Sequence, residues 1–548
     1  MGYQVRPVIL EKIPSLADGD VLFEPVQAAP GDTIVDEQGN VVILEEGVRY
    51  FPSGCSDASC AQAYSGQEPV VMDSMLVRFR LRPGLTWSDG APLTAGDSVY
   101  SFEVAQSLYP RARPALLDRT LSYQAPDELS VEWRGLPGAR EPGYPSLFFT
   151  PLPRHAWGAL PPEELLQAEA STRSPLGWGP YRVDEWTAGD HITLSKNPTY
   201  FRAAEGLPHF EQLVFRFVAD REQALEALLA GECDLADGTT GLEGSLAELA
   251  ELEAAGRLAL SIEESAWEHL DFGASSSDPA RTQFFASKAV RQAAAACIDR
   301  ERLASELFLG RSSVPQTYLP SAHPLANAGA RAYPYDPQAA ASALQAAGWV
   351  DADNDPATPR LAQGVPGVPD GTPFTVSLIT TDEPEKQAAA ALIRDSLAQC
   401  GIQVEISAGA AGAQFAAGPD GPVFGRRFDL AQYAWPTALE PPCYLYTSAE
   451  IPGPFPEFPK GWGGANASGF SNPEYDRACG QARLALPGTP EYDSAHRQAQ
   501  ALFAEELPAL PLYWRPGVVA YRPDLCGLQP GPGALSSLES LSLTPGCP

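Results

Sequence analysis

Residues 374–406 set the strongest constraint on what this chain can fold into. An apolar strand-like stretch at 374–379 is followed by a helical pattern over 385–400, a stop at Gly401 and a second strand-like stretch at 402–406. Strand, helix and strand in so short a span form a parallel crossover, because a tight hairpin leaves no room for a helix between its strands. The alternation recurs. Residues 213–218 read as a strand, with Asp220 capping a helix that ends at Gly231. Asp336-Pro337 opens a helix stopped by Gly348, and a helix over 490–506 leads into a strand from Leu510 to Tyr521. One long helix is expected over 287–309, with Val290, Ala294, Cys297, Ile298 and Leu303 as its apolar stripe.

The fold class is therefore α/β. Residues 20–70 are richer in turns and strands, and 70–82 alternates apolar and polar residues at period two. A turn at Ser88-Asp89-Gly90 precedes Thr94, which caps a helix to about 108, with Asp97 closing a capping box. The chain shows no internal repeat and no long low-complexity linker, so its domains are expected to be built from discontinuous stretches. Its 548 residues suffice for several compact units of roughly 150 residues each.

Charge narrows the function. Against 37 basic residues stand 69 acidic ones, a net −32 that repels polyanions and excludes nucleic acid as a partner. Six histidines offer no zinc-like spacing, and no phosphate-binding or nucleophile motif is present, so no metal, cofactor or catalytic residue is expected. The run Asp351-Ala-Asp353-Asn354-Asp355 has Pro356 and Ala362 where a calcium loop needs Gly and Glu, and reads as a solvated turn. MGYQVRPVIL shows no signal-peptide pattern, and no apolar run reaches the roughly eighteen residues of a membrane span.

The nine cysteines point instead to disulfides in an oxidising compartment. Cys55 and Cys60 bracket a short turn, Cys526 and Cys547 are placed to clip the C-terminal tail, and Cys443 and Cys479 lie in a loop and a helix. Cys233 and Cys297 could pair, which leaves Cys400 free; the odd count requires at least one unpaired thiol.

Six ordered motifs carry a resemblance. VRFRLRPGLTWSDGAPLTAGDSVYSFE (77–103) and PLGWGPYRVDEWTAGDHITLSKNPTYF (175–201) resemble the family-5 extracellular solute-binding proteins of ABC importers, the oligopeptide, dipeptide and nickel type. LVFRFVADREQALEALLAGECD (213–234), KAVRQAAAACIDRERL (288–303), SNPEYDRA (471–478) and ELPALPLYW (506–514) continue the likeness over nearly the whole chain. The resemblance implies a two-lobed periplasmic-binding-protein-like fold of type II, cluster C, with an extra α+β subdomain in the first lobe. Transferred to this chain, the first-lobe core falls at 1–25, 175–212 and 508–548, the subdomain at 26–174 and the second lobe at 213–507. Family members carry a further stretch ahead of what aligns here, with the signal, so the leader and any lipid anchor are expected to be missing and the first lobe truncated.

The implied function is that of an extracytoplasmic receptor, periplasmic or on the cell surface. It captures a peptide-like or other small polar solute between its lobes by hinge closure and delivers it to an ABC permease. It is expected to act as a monomer, to meet the membrane only through the transporter or an anchor, and to perform no chemistry. A surface receptor for signalling or adhesion on the same fold, and a hydrolase, are the competing readings. DLAQYAWPTALEPP (429–442) resembles the crossing strand of peptide binders and places Trp435 at the family's pocket tryptophan, with Tyr433 beside it. The carboxylate that pairs with a peptide's amino terminus would fall at Ala438, which cannot accept that ion pair; Glu440 lies two residues on, on the same face if the strand continues. WEHLDFGASSSD (267–278) makes Trp267 and Phe272 candidate cleft residues, with Gly273 where the family has Asn. Trp178, flanked by Gly177 and Gly179, and Trp462 and Asn466 in GWGGANASGF complete the candidate set. Asp299-Arg300 and Trp87 are expected to be structural, the former as a pair on a helix surface.

Overall fold

The computed structural model describes residues 3, 5–55, 59–109, 117–355, 358–529 and 534–543. They divide into two compact units. The first comprises 4–236, 483–492 and 521–548. Its main sheet is built from β1 (Val21–Ala28), β2 (Val70–Arg80), β3 (Thr120–Gln124) and β4 (Ser130–Gly135), in the order β1-β2-β4-β3. Met75, Val77 and Phe79 of β2 point to one face, where Trp87, Trp133 and Phe102 of α1 (Ala95–Leu108) complete a core. The expected capping box is present: the Asp97 carboxylate accepts from the Thr94 amide at 2.9 Å and from the Trp87 indole at 3.4 Å. A second sheet joins β5 (Tyr181–Thr187), β6 (His191–Lys196) and β7 (Gln212–Arg216) in the order β7-β6-β5. Asp220 caps α2 (Arg221–Leu229) by accepting from the Gln223 amide at 2.9 Å.

The second unit comprises 1–3, 237–482 and 493–520. Its elements are β8 (Ala259–Phe272), α3 (Lys288–Cys297), α4 (Arg300–Phe308), α5 (Pro337–Ala346), β9 (Thr375–Thr381), α6 (Pro384–Ala398), β10 (Gln403–Gly409), β11 (Leu430–Pro436), α7 (Pro473–Leu484), α8 (Pro490–Glu506) and β12 (Ala509–Tyr521). The crossover read from 374–406 is β9-α6-β10, with β9 and β10 parallel in register from Thr375↔Gln403 to Thr381↔Gly409. The strands run in the order β12-β8-β11-β9-β10. β11 is parallel to β9 and antiparallel to β8.

Several expectations are corrected. The single helix over 287–309 is two helices. Ile298 adopts an extended conformation (φ −96°, ψ 118°), and Asp299 caps α4 by accepting from the Arg302 amide at 3.0 Å. The apolar stripe runs through the break because Ile298 is buried as well, so periodicity alone could not show it. Arg300 is not on a helix surface. It is buried and donates to the carbonyls of Pro315, Pro511 and Tyr333 at 2.8–3.1 Å.

The boundaries also move. The division between 25 and 26 would cut β1, which pairs with β2 along its whole length. Residues 213–236 belong to the first unit, and β12 is in the second as far as Ala520 because it lies beside β8 in the sheet.

Cys55–Cys60 and Cys443–Cys479 are disulfides. Cys297 pairs with Cys400 and not with Cys233, which is a free thiol in the other unit. α3 and the turn that follows α6 place Cys297 and Cys400 with Cα atoms 6.2 Å apart, within bridging range. Cys526 is disulfide-bonded, and Cys547 lies outside the described residues.

Candidate functional site

In an open α/β sheet, ligands sit at the carboxyl ends of parallel strands, where the strand order reverses. In the second unit that point is the edge shared by β9 and β11, since the chain leaves β9 for β10 on one side and returns as β11 on the other. Thr381 ends β9 and leads through Asp382 and Glu383 into α6, while Trp435 and Pro436 end β11. Trp435 is half-buried, with its ring 5.9 Å from Tyr433, and it packs into a cluster with Phe415 and Phe424. Its indole nitrogen is buried with no hydrogen-bond partner among the described residues.

Charged groups surround this edge. Glu385, in the first turn of α6, lies 3.9 Å from Arg515 of β12, and both are about a quarter exposed. Burial raises the Glu385 carboxyl above its usual range, against the pull of Arg515. Glu264 of β8 is raised by burial too and accepts from the Ser313 hydroxyl at 2.8 Å. Thr437 donates from its amide to the Ser265 carbonyl at 3.1 Å, which fastens the end of β11 to β8. The Tyr3 ring rests on His323 at 5.1 Å. The sheet end thus carries an aromatic wall on the Trp435 face and, on the face of Glu268, one guanidinium and two carboxyl groups.

Behind it, alternation along β8 and β11 places Trp267, His269 and Asp271 on one sheet face with Ala431, Tyr433 and Trp435. Asp271 has no exposed surface and accepts from Tyr433 at 2.6 Å and from Tyr446 at 2.8 Å. Burial pushes its carboxyl up to about 7, against those two donors, and pushes His269 down to about 3. On the opposite face Lys386 of α6 reaches Glu268 at 2.5 Å, a fully buried ion pair.

This architecture is shared with known proteins. Residues 69–453 match the model of the bacterial extracellular solute-binding proteins, family 5. The chain belongs to that family. Over 335 residues it is 25% identical to the oligopeptide-binding protein AppA of Bacillus subtilis, covering 60% of this chain and 57% of that one. The chain spans about half the length of the curated relatives it matches. The structure of Bacillus subtilis AppA in complex with a nonapeptide aligns with a TM-score of 0.57 at 20% identity, covering 99% of this chain and 98% of that one. NikA from Brucella suis in complex with Fe(III)-EDTA aligns with a TM-score of 0.64 at 19% identity, covering 96% and 95%. The fold is therefore the two-lobed α/β fold of these binding proteins. Among the described residues no helix is long and apolar enough to cross a membrane, and no cluster of three His, Cys, Asp or Glu side chains is placed to hold a metal.

Within this family-5 protein the candidate residues scatter. Trp435 stands at the switch-point edge. Tyr433, one turn of the pleat behind it, is buried with its hydroxyl committed to Asp271. Trp267 and Phe272 have no exposed surface: Trp267 stacks on His269 at 4.3 Å and Phe272 packs on Phe285 at 5.1 Å. β11 ends at Pro436, so Glu440 does not share a strand face with Trp435; it is exposed in the loop ahead of Pro441. Asn466 is buried and saturated, donating to the Thr447 and Phe470 carbonyls at 3.0 and 2.8 Å and accepting from Ser468 at 2.8 Å. Trp462 is half-buried against Gly418. Trp178 is half-buried on the core of the first unit.

Sequence reasoning passed over Glu264, Glu385 and Arg515. Arg515 carried a usable signal, as the lone charge in the otherwise apolar strand LPLYWRPGVV.

Proposed function

We propose that this chain is the solute-binding component of an ABC importer, and that the β9–β11 edge around Trp435 holds its solute. The observation that carries this reading is Trp435: a half-buried indole at the switch point, with a buried N–H that has no acceptor among the described residues. A solute carbonyl or carboxylate would supply that acceptor, and the ring would cover its apolar part. Arg515 suits a carboxylate, while Glu264, Glu385 and the exposed Glu440 suit an ammonium, so a zwitterionic or peptide-like solute matches the edge. That class agrees with the oligopeptide-binding relative. With Ala438 at the position of the peptide binders' carboxylate, the ammonium contact would come from these other acids. The protein acts outside the cytoplasm, hands its solute to a permease and works by binding without converting it.

Native mass spectrometry of freshly purified protein tests the reading. A retained small solute that is absent from Trp435→Ala supports it. Capture of no solute from a peptide pool, or chemical conversion of a captured compound, overturns it.

A further inference from the structure

His269 and Asp271 form a pair with an unusual proton requirement. The His269 Nδ1 atom faces the Trp267 carbonyl at 3.4 Å. A carbonyl only accepts, so Nδ1 carries the hydrogen. The Nε2 atom lies 3.4 Å from Asp271 Oδ1 but makes no hydrogen bond among the described residues. A neutral His269 with its hydrogen on Nδ1 has none on Nε2 to give Asp271, so an ionised Asp271 would have only phenol donors and an imidazole acceptor nitrogen beside it. Both side chains have no exposed surface, so the pair is best solvated with a proton on the carboxyl and the imidazole neutral.

Among the described residues no charged group is hydrogen-bonded to Asp271. The groups facing it are the phenols of Tyr433 on β11 and Tyr446 in the 443–446 turn. Next in line are Tyr475 of α7 and Tyr318, while α8 contributes Phe503 to the ring cluster around Trp267 and Tyr446. Lys386 acts on His269 from the other sheet face, but it is tied to Glu268.

We propose that Asp271 is a proton-binding positioning residue: it holds a dissociable proton in the folded protein, and release of that proton is felt at Trp435 through Tyr433. The relay is short. Tyr433 lies edge-on to His269 at 4.3 Å and edge-on to Trp435 at 5.9 Å, and its hydroxyl is bound to Asp271. With the proton present, Asp271 is neutral, both tyrosines donate to its oxygens and the imidazole nitrogen 3.4 Å away meets no charge. With it gone, the charge draws the tyrosine hydroxyls in and repels the Nε2 lone pair, so the His269 and Tyr433 rings must resettle beneath Trp435. The consequence for solute affinity rests on the function proposed above; the proton itself does not.

The test uses the full, solute-free chain. A pH-difference infrared spectrum across neutrality is expected to show loss of a protonated carboxylic-acid band in the wild type and none in Asp271→Asn. The Trp435 emission, taken as wild type minus Trp435→Phe, is expected to shift over the same pH range. Tyr433→Phe removes a donor that favours the charged form, so its midpoint should move to higher pH. A wild type without the band, or a band that persists in Asp271→Asn, overturns the proton. A Trp435 emission that stays flat across the titration overturns the relay. Should Asp271→Asn not fold, an unmoved midpoint in Tyr433→Phe overturns the assignment. A protein that binds no solute would sink the proposed function while leaving these readouts intact.

Discussion

Trp267 and Trp435 are direct partners across the β8–β11 ladder, yet one is sealed and the other is open. Trp267 has no exposed surface, whereas Trp435, at the end of its strand, is half-buried. Truncating a sealed tryptophan leaves a cavity and costs about 3–5 kcal/mol. Trp267→Ala should therefore lower the unfolding midpoint strongly. Trp435→Ala should weaken solute binding and move the thermal midpoint by only a few degrees. Thermal melts of both variants, with and without the retained solute, check this; equal losses of stability would assign Trp435 to packing.

Asp271 and His269 are expected to pull pH stability in opposite directions. The Asp271 carboxyl is raised from 3.8 to about 7, so the folded state binds the extra proton and stability falls as pH rises between those values. His269 is lowered from 6.5 to about 3, so the unfolded state binds the extra proton and stability rises with pH over that interval. The two slopes offset each other over most of the acid range in the wild type. His269→Phe should expose the falling slope and Asp271→Asn the rising one, each up to about tenfold in the folding equilibrium per pH unit. Denaturant midpoints measured from pH 4 to pH 7 decide it, and parallel slopes in the two variants would refute the opposition.

The buried Lys386–Glu268 pair joins α6 to β8 through the sheet face opposite Trp435. Lys386→Met strands a carboxylate in the interior and should cost about 3–5 kcal/mol. Replacing both residues, as Lys386→Met with Glu268→Leu, should recover most of that loss, because no unpaired charge remains. Urea midpoints of the two variants make the comparison. A double variant as weak as the single one would show that the pair is needed for its geometry and not merely for charge balance.

The crossover over 375–409 was legible because strand and helix periods differ, and Gly401 with a φ of 73° marks the helix stop where the pattern says it should. The capping box at Thr94 and the caps at Asp220 and Asp336 were legible for a similar reason, since each is a local side-chain–amide bond. The break at Ile298 was hidden because burial continued across it. The site was read less well. Aromatic residues drew attention in 267–272, although Glu268, His269 and Asp271 carry the more telling signal: three ionisable side chains in a strand buried from Trp267 onward. Nothing local distinguishes Trp267 from Trp435. Only the register and the strand's end decide which ring meets solvent.

Cys297–Cys400 escaped the sequence for the same kind of reason, since 103 residues separate two cysteines that the β-α-β topology brings together. That separation makes it the bridge with the largest expected effect. Closing a loop of about 100 residues in the unfolded chain is worth about 4.7 kcal/mol, against about 2 kcal/mol for a loop the size of Cys55–Cys60, which spans a separation of 5. Both sulfurs of the long bridge are buried, so it should resist mild reductant until the second unit opens. Cys297→Ala with Cys400→Ala should thus lower the denaturant midpoint more than Cys55→Ala with Cys60→Ala. Thiol labelling in native buffer should modify Cys233 and leave the long bridge intact. A larger loss from the Cys55–Cys60 deletion would mean that the second unit keeps its strand order in the unfolded ensemble without the bridge.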